Sequence, residues 1–352
     1  MTKYKLAQLA EIKYGKDHKK LGKGSVPVYG TGGIMRYVND FIYEGESVLI
    51  PRKGSLNNLF YVHGKFWTVD TIFWTKIDSK IVLPRYLYYY LSRIDLTSYN
   101  VGSAVPSLTI SLLNELVLDI PPISVQKDVV NKLTAIENKI KINEQINDNL
   151  VELLDLQYNK LITSSTLEVH NIQHIGSVTG GGTPSKKVKE YWNGEIPWIT
   201  PKDLSQTRNI FTSNGSKSIS NVGFKNSSTK LLPAGSILYS SRAPIGYISI
   251  ANNPVTTNQG FKSIIPDKEY PTEFIFELLK NETSKIVNSA TGSTFKEVSS
   301  AQLKNHEIKI PCLIDCKKFG NSTRPFFNEI RRLECESNLL LKVRSLLLSR
   351  YF

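Results

Sequence analysis

The sequence predicts an α+β protein. Two globular domains are separated by two long helices that pair as an antiparallel coiled coil, with a pseudo-twofold internal repeat. Three observations predict this. Gly102 to Pro121 (GSAVPSLTISLLNELVLDIP) and Gly292 to Pro311 (GSTFKEVSSAQLKNHEIKIP) align at an offset of 190 residues, and each closes on an apolar Ile-Pro. Two further stretches repeat in the same order: Leu83 to Arg93 with Tyr270 to Lys280, and Gly45 to Ser55 with Gly235 to Gly246. After each Ile-Pro a helical run fills the rest of its half. A period this long means two domains and not a solenoid, whose repeats run to about 20–50 residues.

The expected boundaries are 1–122 for the first domain, 123–163 for a central helix, 164–313 for the second domain and 314–352 for a C-terminal helix. In the first domain, β-rich runs (Val26 to Tyr29, Ser47 to Ile50, Leu59 to Val62, Thr71 to Lys76) alternate with Gly-, Asn- and Lys-rich loops. A short helix is expected near Arg85 to Ser92. Pro121 and Pro122 end the domain, because neither donates to a strand or continues a helix.

From Ser124 to Ile162 there is no Gly or Pro. Leu133, Ile136, Ile140, Asn143, Asn147, Leu150, Leu154, Tyr158 and Leu161 recur there at three- and four-residue steps, a coiled-coil seam whose Asn members fix register at a cost in stability. Such a helix spans about 60 Å at about 1.5 Å per residue. That is too long to pack wholly on its own domain, so it needs a partner. The expected partner runs from Pro325, with Phe326, Ile330, Leu333, Leu340, Val343, Leu347 and Tyr351 on one side and with Gly320 and Pro325 interrupting its start. The alternative is two separate helices, each packed on its own domain.

The composition is that of a globular protein, with 40% hydrophobic residues and a mean hydropathy of −0.21. No run reaches the ~18 apolar residues of a membrane span, and the start lacks a signal-peptide core. The three cysteines, Cys312, Cys316 and Cys335, give no disulfide framework, so a cytoplasmic setting is expected. Net charge is +13 and the isoelectric point about 9.4, which favours a polyanionic partner, nucleic acid before membrane. The first 36 residues concentrate this charge, with Lys16, Lys19 and Lys20 in a loop and Arg36 closing the stretch.

No catalytic constellation is expected. The histidines show no HExxH or metal-pair spacing, Cys312 and Cys316 lack further ligands, and GxSxG, GxxxxGK[ST] and the NPPY-type methyl-transfer tetrapeptides are absent. What is present suits nucleic acid. The loop Val28 to Val38 lets backbone approach phosphate closely and carries Thr31 and Arg36. The loop Pro51 to Asn58 offers Arg52, Lys53, Ser55, Asn57 and Asn58. In the second domain the candidates are Thr183, Ser185, Lys186, Lys187, Lys202, Arg242, Asn258, Gln259, Thr294 and Lys296. Arg reads guanine and Asn or Gln reads adenine in a major groove, while Lys and Ser hold phosphate. The base-reading candidates are Arg36, Arg52, Asn57, Asn58, Arg242, Asn258 and Gln259. Any one of these loops is otherwise a solvated turn.

The same stretches resemble the specificity subunit of type I restriction–modification enzymes. GSVPVYGTGGIMRYV, EGESVLIPRKGSLNN, FWTVDTIFW and LDIPPISVQ look like its first target-recognition domain and the start of its spacer helix. GGTPSKKVKEYWNGEIPWITPKDLS, LPAGSILYSSRAPIG and TNQGFKSI look like the second. The chain departs from the family after the second block, where a P-P-L-x-x-Q pattern reads PCLIDCKKF. The resemblance implies a non-catalytic reader of a bipartite site in double-stranded DNA, with no cofactor of its own. It implies two methyltransferase subunits, which would hold S-adenosylmethionine, and in some assemblies a restriction–translocase subunit. Alternatives are the recognition part of a fused methyltransferase–nuclease and a scaffold that does not touch DNA.

Overall fold

The computed structural model describes residues 1–102, 105–291 and 296–352. It forms two compact units, one of Met1–Ile140 with Leu339–Phe352 and one of Lys141–Asn338. No helix among the described residues is long and apolar enough to cross a membrane.

The first unit contains β1 (Thr2–Lys5), α1 (Leu6–Leu9), β2 (Ala10–Tyr14), β3 (Lys23–Gly30), β4 (Gly33–Val38), β5 (Tyr43–Pro51), β6 (Phe60–Thr68), β7 (Ile72–Ile77), α2 (Pro84–Leu91), α3 (Ile110–Asn114), β8 (Val117–Ile120) and the start of α4 (Ile123–Ser164). Its main sheet has the order β2-β7-β5-β6-β3-β4, and β1 pairs antiparallel with β8. The end of β5, Ser47 to Pro51, is buried at every position, as a central strand covered on both faces must be. Pro84 opens α2 at its first turn, where a missing N–H costs nothing.

The second unit contains the rest of α4, then β9 (Leu167–Asn171), α5 (Ile172–Ile175), β10 (Gly176–Gly180), β11 (Trp192–Ile199), α6 (Pro201–Ser205), β12 (Phe211–Thr212), β13 (Lys217–Ile219), α7 (Asn221–Lys225), β14 (Ile237–Ser241), β15 (Ile245–Ala251), β16 (Thr256–Thr257), β17 (Lys262–Pro266), α8 (Thr272–Ser289), α9 (Ser300–Lys304), β18 (Glu307–Pro311) and most of α10 (Leu313–Tyr351). Its main sheet has the order β10-β17-β14-β15-β12. A smaller sheet, β13-β11-β16, corresponds to the β4-β3-β6 part of the first unit's sheet, with β11 antiparallel to β13 and parallel to β16 as β3 is to β4 and β6.

The repeat is written in this topology. β1–β8 and β9–β18 are equivalent antiparallel pairs. The orders β2-β7-β5-β6 and β10-β17-β14-β15 match strand for strand, and the parallel pairing of β3 with the end of β6 recurs as that of β11 with β16. The helices α2, α3 and α4 then recur as α8, α9 and α10.

The two long helices run antiparallel within each unit. In the first, Glu137 accepts from Arg344 Nε at 2.9 Å, and Leu348 joins Val129 and Leu133 in the core. In the second, buried Asn143 donates from Nδ2 to Glu336 Oε2 at 3.1 Å and to Ser337 Oγ at 3.2 Å, while the Tyr158 and Phe319 rings lie 6.0 Å apart. Of the expected seam, Leu133, Asn143, Leu154 and Ile330 are buried. Ile136, Ile140, Asn147, Leu150, Leu340 and Leu347 are partly buried.

Two expectations for the C-terminal helix need correction. Val343 is 36% exposed, and Phe327 and Leu348 are more deeply buried than their neighbours Phe326 and Leu347. The helix also starts at Leu313 and runs through both Gly320 and Pro325. Its buried stripe is therefore set earlier, by Cys316, Phe319, Thr323, Phe327 and Ile330. Pro325 is tolerated because both it and Asn321, whose carbonyl loses a donor, are exposed to water. Gly320 is required, because any Cβ there would come within 2.3 Å of Pro271 Cβ.

Candidate nucleic-acid interface

Each unit ends its central strand in an arginine. Arg52 follows β5 and Arg242 follows β14, at the same offset of 190 residues. The neighbouring segment also repeats. Leu108 N–H donates to Arg52 O at 2.9 Å, and Val298 N–H donates to Ser241 O at 3.0 Å. Lys53 bridges Ser107, and Arg242 bridges Glu297. By these contacts Arg52 stands where Ser241 does and Lys53 where Arg242 does, so each unit holds a cation at this corner, Lys53 in one and Arg242 in the other, with Arg52 one residue before Lys53.

In the first unit three loops meet beside Arg52. The tip of the β3–β4 hairpin, Gly30 to Gly32, lines a cleft of about 780 Å³ together with Asp17, Lys19 and Asp70. Asn58 Nδ2 donates to Thr31 O at 2.5 Å and joins the 51–58 loop to that tip. Arg52 Nη1 donates to Asp70 O at 3.0 Å, with its guanidinium 5.4 Å from the centre of the exposed Tyr14 ring. Lys16, Lys19, Lys20, Lys53 and Ser55 are exposed around this corner. Neither Lys16, Lys20 nor Lys53 forms an ion pair among the described residues.

Two candidates have structural tasks. Arg36 Nη2 donates to Leu21 O at 2.6 Å and pins the lysine-rich loop to β4. Asn57 uses both ends of its amide. It donates to Asp95 Oδ1 at 2.9 Å and accepts Leu96 N–H at 2.8 Å.

In the second unit the glycine run packs on backbone. A Cβ at Gly181 would come within 2.0 Å of Asn258 O, and Trp198 Nε1 donates to Gly182 O at 2.9 Å. Thr183 Oγ1 donates to Gln259, and Asn258 Oδ1 accepts Gly260 N–H at 2.9 Å. Ser241 N–H donates to Gly260 O at 2.8 Å, which joins this cluster to the Arg242 corner. Ser185, Lys186, Lys187, Lys202 and Lys296 are exposed. Thr294 lies outside the described residues. Arg242 differs from Arg52 in having an acidic partner, Glu297, at 3.5 Å. The sequence reading missed Glu297, Tyr14 and Asp70, whose roles depend on pairings that no local motif announces.

Residues 1–152 and 164–319 each match the family described as Type I restriction modification DNA specificity domain. The chain belongs to this family. It is 41% identical over 187 residues to the MjaIX specificity subunit of a type I restriction enzyme from Methanocaldococcus jannaschii, covering 53% of this chain and 43% of that one. It is 29% identical over 263 residues to the EcoR124I/EcoR124II specificity subunit from Escherichia coli, covering 67% and 61%. The match thus spans less than two thirds of either relative. Among solved structures, the S subunit of a type I restriction–modification system from M. genitalium has the same fold, with a TM-score of 0.71, 15% identity and coverage of 100% of this chain and 96% of that chain. The family match occurs twice, as the repeat in sequence and topology requires. These relatives are named as specificity subunits, which weighs against the fused-enzyme and scaffold alternatives.

Proposed function

We propose that this chain is the DNA-reading subunit of a type I restriction–modification enzyme and catalyses nothing itself. Residues 1–122 read one half of a bipartite duplex site and residues 164–313 the other. The helices of 123–163 and 314–352 set the gap and carry two methyltransferase subunits, which bind S-adenosylmethionine. A restriction–translocase subunit joins in the restricting form of the assembly, in the cytoplasm.

What supports the reading above all is that the same strand end carries cations in both copies, Arg52 and Lys53 after β5 and Arg242 after β14, each at the end of a buried central strand and each beside exposed lysines. An arginine held on a rigid strand end suits bidentate contact with guanine, and the lysines suit phosphate.

The test is selection from a random duplex library by the full chain, followed by binding at two salt concentrations. A split consensus is expected, with affinity falling steeply as salt rises. Arg52→Ala should relax one half-site and Arg242→Ala the other, each by about 1–3 kcal/mol of discrimination. Equal grip on all duplexes would overturn the proposal.

A further inference from the structure

The in–out alternation of β4 fails at Ile34 and Met35, which are 50% and 59% exposed in succession. The cause is a bulge. Val28 pairs with Arg36 and Tyr29 with Ile34, so Met35 has no partner across the ladder. A bulge turns one side chain out of the face that alternation would give it. Met35 folds back across Gly30, where a Cβ would come within 2.6 Å of its sulfur. It thereby lines the 780 Å³ cleft at the hairpin tip, beside the Arg52 corner.

Charge indicates what approaches this apolar pair. Lys19 lines the cleft, and Lys16 and Lys20 of the same loop are exposed; such cations suit phosphates. The cleft itself is lined by Asp17 and Asp70, which repel phosphate but accept from the amino groups of base edges. Asp17 is held below the usual carboxylate range, first by the Lys19 N–H at 3.0 Å, so it is ionised at neutral pH. A duplex offers these three features together: phosphates outside, amino groups inside and a flat apolar stack between. Met and Ile are among the side chains that proteins press between base steps.

We infer that Ile34 and Met35 form an apolar wedge that the first unit presses between two stacked base pairs of its half-site, unstacking them. This rests on the DNA-reading function proposed above.

The experiment uses the full chain and the duplex it selects from a random library, with 2-aminopurine replacing each adenine in turn. The native chain should raise fluorescence several-fold at one step, in the half-site that Arg52→Ala relaxes. The double variant Ile34→Ala/Met35→Ala should abolish that rise and weaken binding about tenfold, with thermal unfolding unchanged because both side chains are exposed. Met35→Leu should retain the rise. No rise at any step with the native chain, or an undiminished rise with the double variant, overturns the wedge. So does a double variant that binds duplex normally and loses only a protein partner. Recovery of no consensus at all would instead overturn the DNA-reading function.

Discussion

The two units solve the same joint with opposite chemistry. Where the first long helix leaves its unit, Glu137 accepts from Arg85 Nη2 at 3.0 Å, Tyr89 Oη at 2.7 Å and Arg344 Nε at 2.9 Å. At the equivalent position of the second long helix stands Phe327. Its ring lies 5.7 Å from Phe276, which replaces Tyr89, and 6.4 Å from Phe211, edge to face in both cases. A charged hub and an aromatic cluster thus occupy one place in the repeat. Duplication has kept the backbone plan and left the energetics free. Any rule that carries a side chain's role from one copy to the other by alignment alone will fail here.

The largest expected effect breaks this comparison directly. Phe327→Ala should destabilise the second unit by about 4 kcal/mol through the cavity it leaves, with little dependence on salt. Glu137→Ala should cost the first unit about 3 kcal/mol, because it strands a buried hydroxyl and two guanidinium groups. Added salt should narrow the gap between Glu137→Ala and the native chain. Hydrogen exchange resolved by unit, with and without 1 M salt (at which the Debye length is about 3 Å), measures both.

The next contrast lies eleven residues earlier. Gln126 is fully buried and stitches the start of its helix to the loop before α2. Its Oε1 accepts Leu83 N–H at 2.8 Å, and its Nε2 donates to Ile81 O at 2.9 Å and Pro121 O at 2.8 Å. The second unit has Cys316 there, with one long contact to Pro311 O at 3.4 Å. It ties the matching loop and α8 by charge instead, through Lys317 with Glu269 and Arg324 Nε with Glu273 Oε1 at 3.0 Å. Gln126→Ala should therefore cost about 2–3 kcal/mol, and Cys316→Ala about 1 kcal/mol for a small buried group. Equal losses in chemical denaturation would show that the stitch is redundant.

Much of this was legible in the sequence, and the misses have a common cause. The buried run Ser47 to Ile50 and the Pro-led helix near Arg85 are local patterns, and the structure places β5 and α2 there. The likeness of the strand ends that carry Arg52 and Arg242 followed from the repeat, but a fixed offset put them one residue out of step, since Arg242 holds the place of Lys53. The bulge at Met35 did not, because register depends on the facing strand. Gly320 and Pro325 look like helix breakers in sequence. They continue the helix because of where Pro271 and the solvent lie. Asn57 looks like a free reader and is occupied by Asp95 and Leu96, which lie far along the chain.

Acid separates the units by a similar amount. Burial pushes the Glu334 carboxyl up to about 7, against the N–H groups of Ile210 and Phe211 at 2.6 and 3.0 Å. Burial likewise pushes Glu277 up to about 7, against Lys280. A carboxyl whose folded value is raised binds its proton more tightly in the folded state. Stability therefore falls as pH rises from about 4.5, the unfolded value, through about 7. The second unit should lose on the order of 3 kcal/mol per carboxyl across that window. Glu334→Gln should remove part of the slope, and the first unit should not share it. A flat stability profile for the second unit between these limits would break the assignment.

The smallest effect leaves stability untouched and reads burial alone. Cys316 is fully buried, and burial first, then the neighbouring Cys312 and Asp315, pushes its thiol up to about 12. Cys312, four residues earlier and just ahead of the helix, is exposed, as is Cys335. Alkylation needs both a thiolate and a path to it. Iodoacetamide on the native chain at pH 8 should therefore modify Cys312 and Cys335 and spare Cys316, as read by peptide mass. Phe327→Ala should expose Cys316 to slow labelling, because the two side chains share one buried stripe with Phe319 between them. Gln126→Ala, which acts on the first unit, should leave Cys316 protected. If Gln126→Ala exposed Cys316 as fast as Phe327→Ala did, the two joints would open as one and not as separate local events.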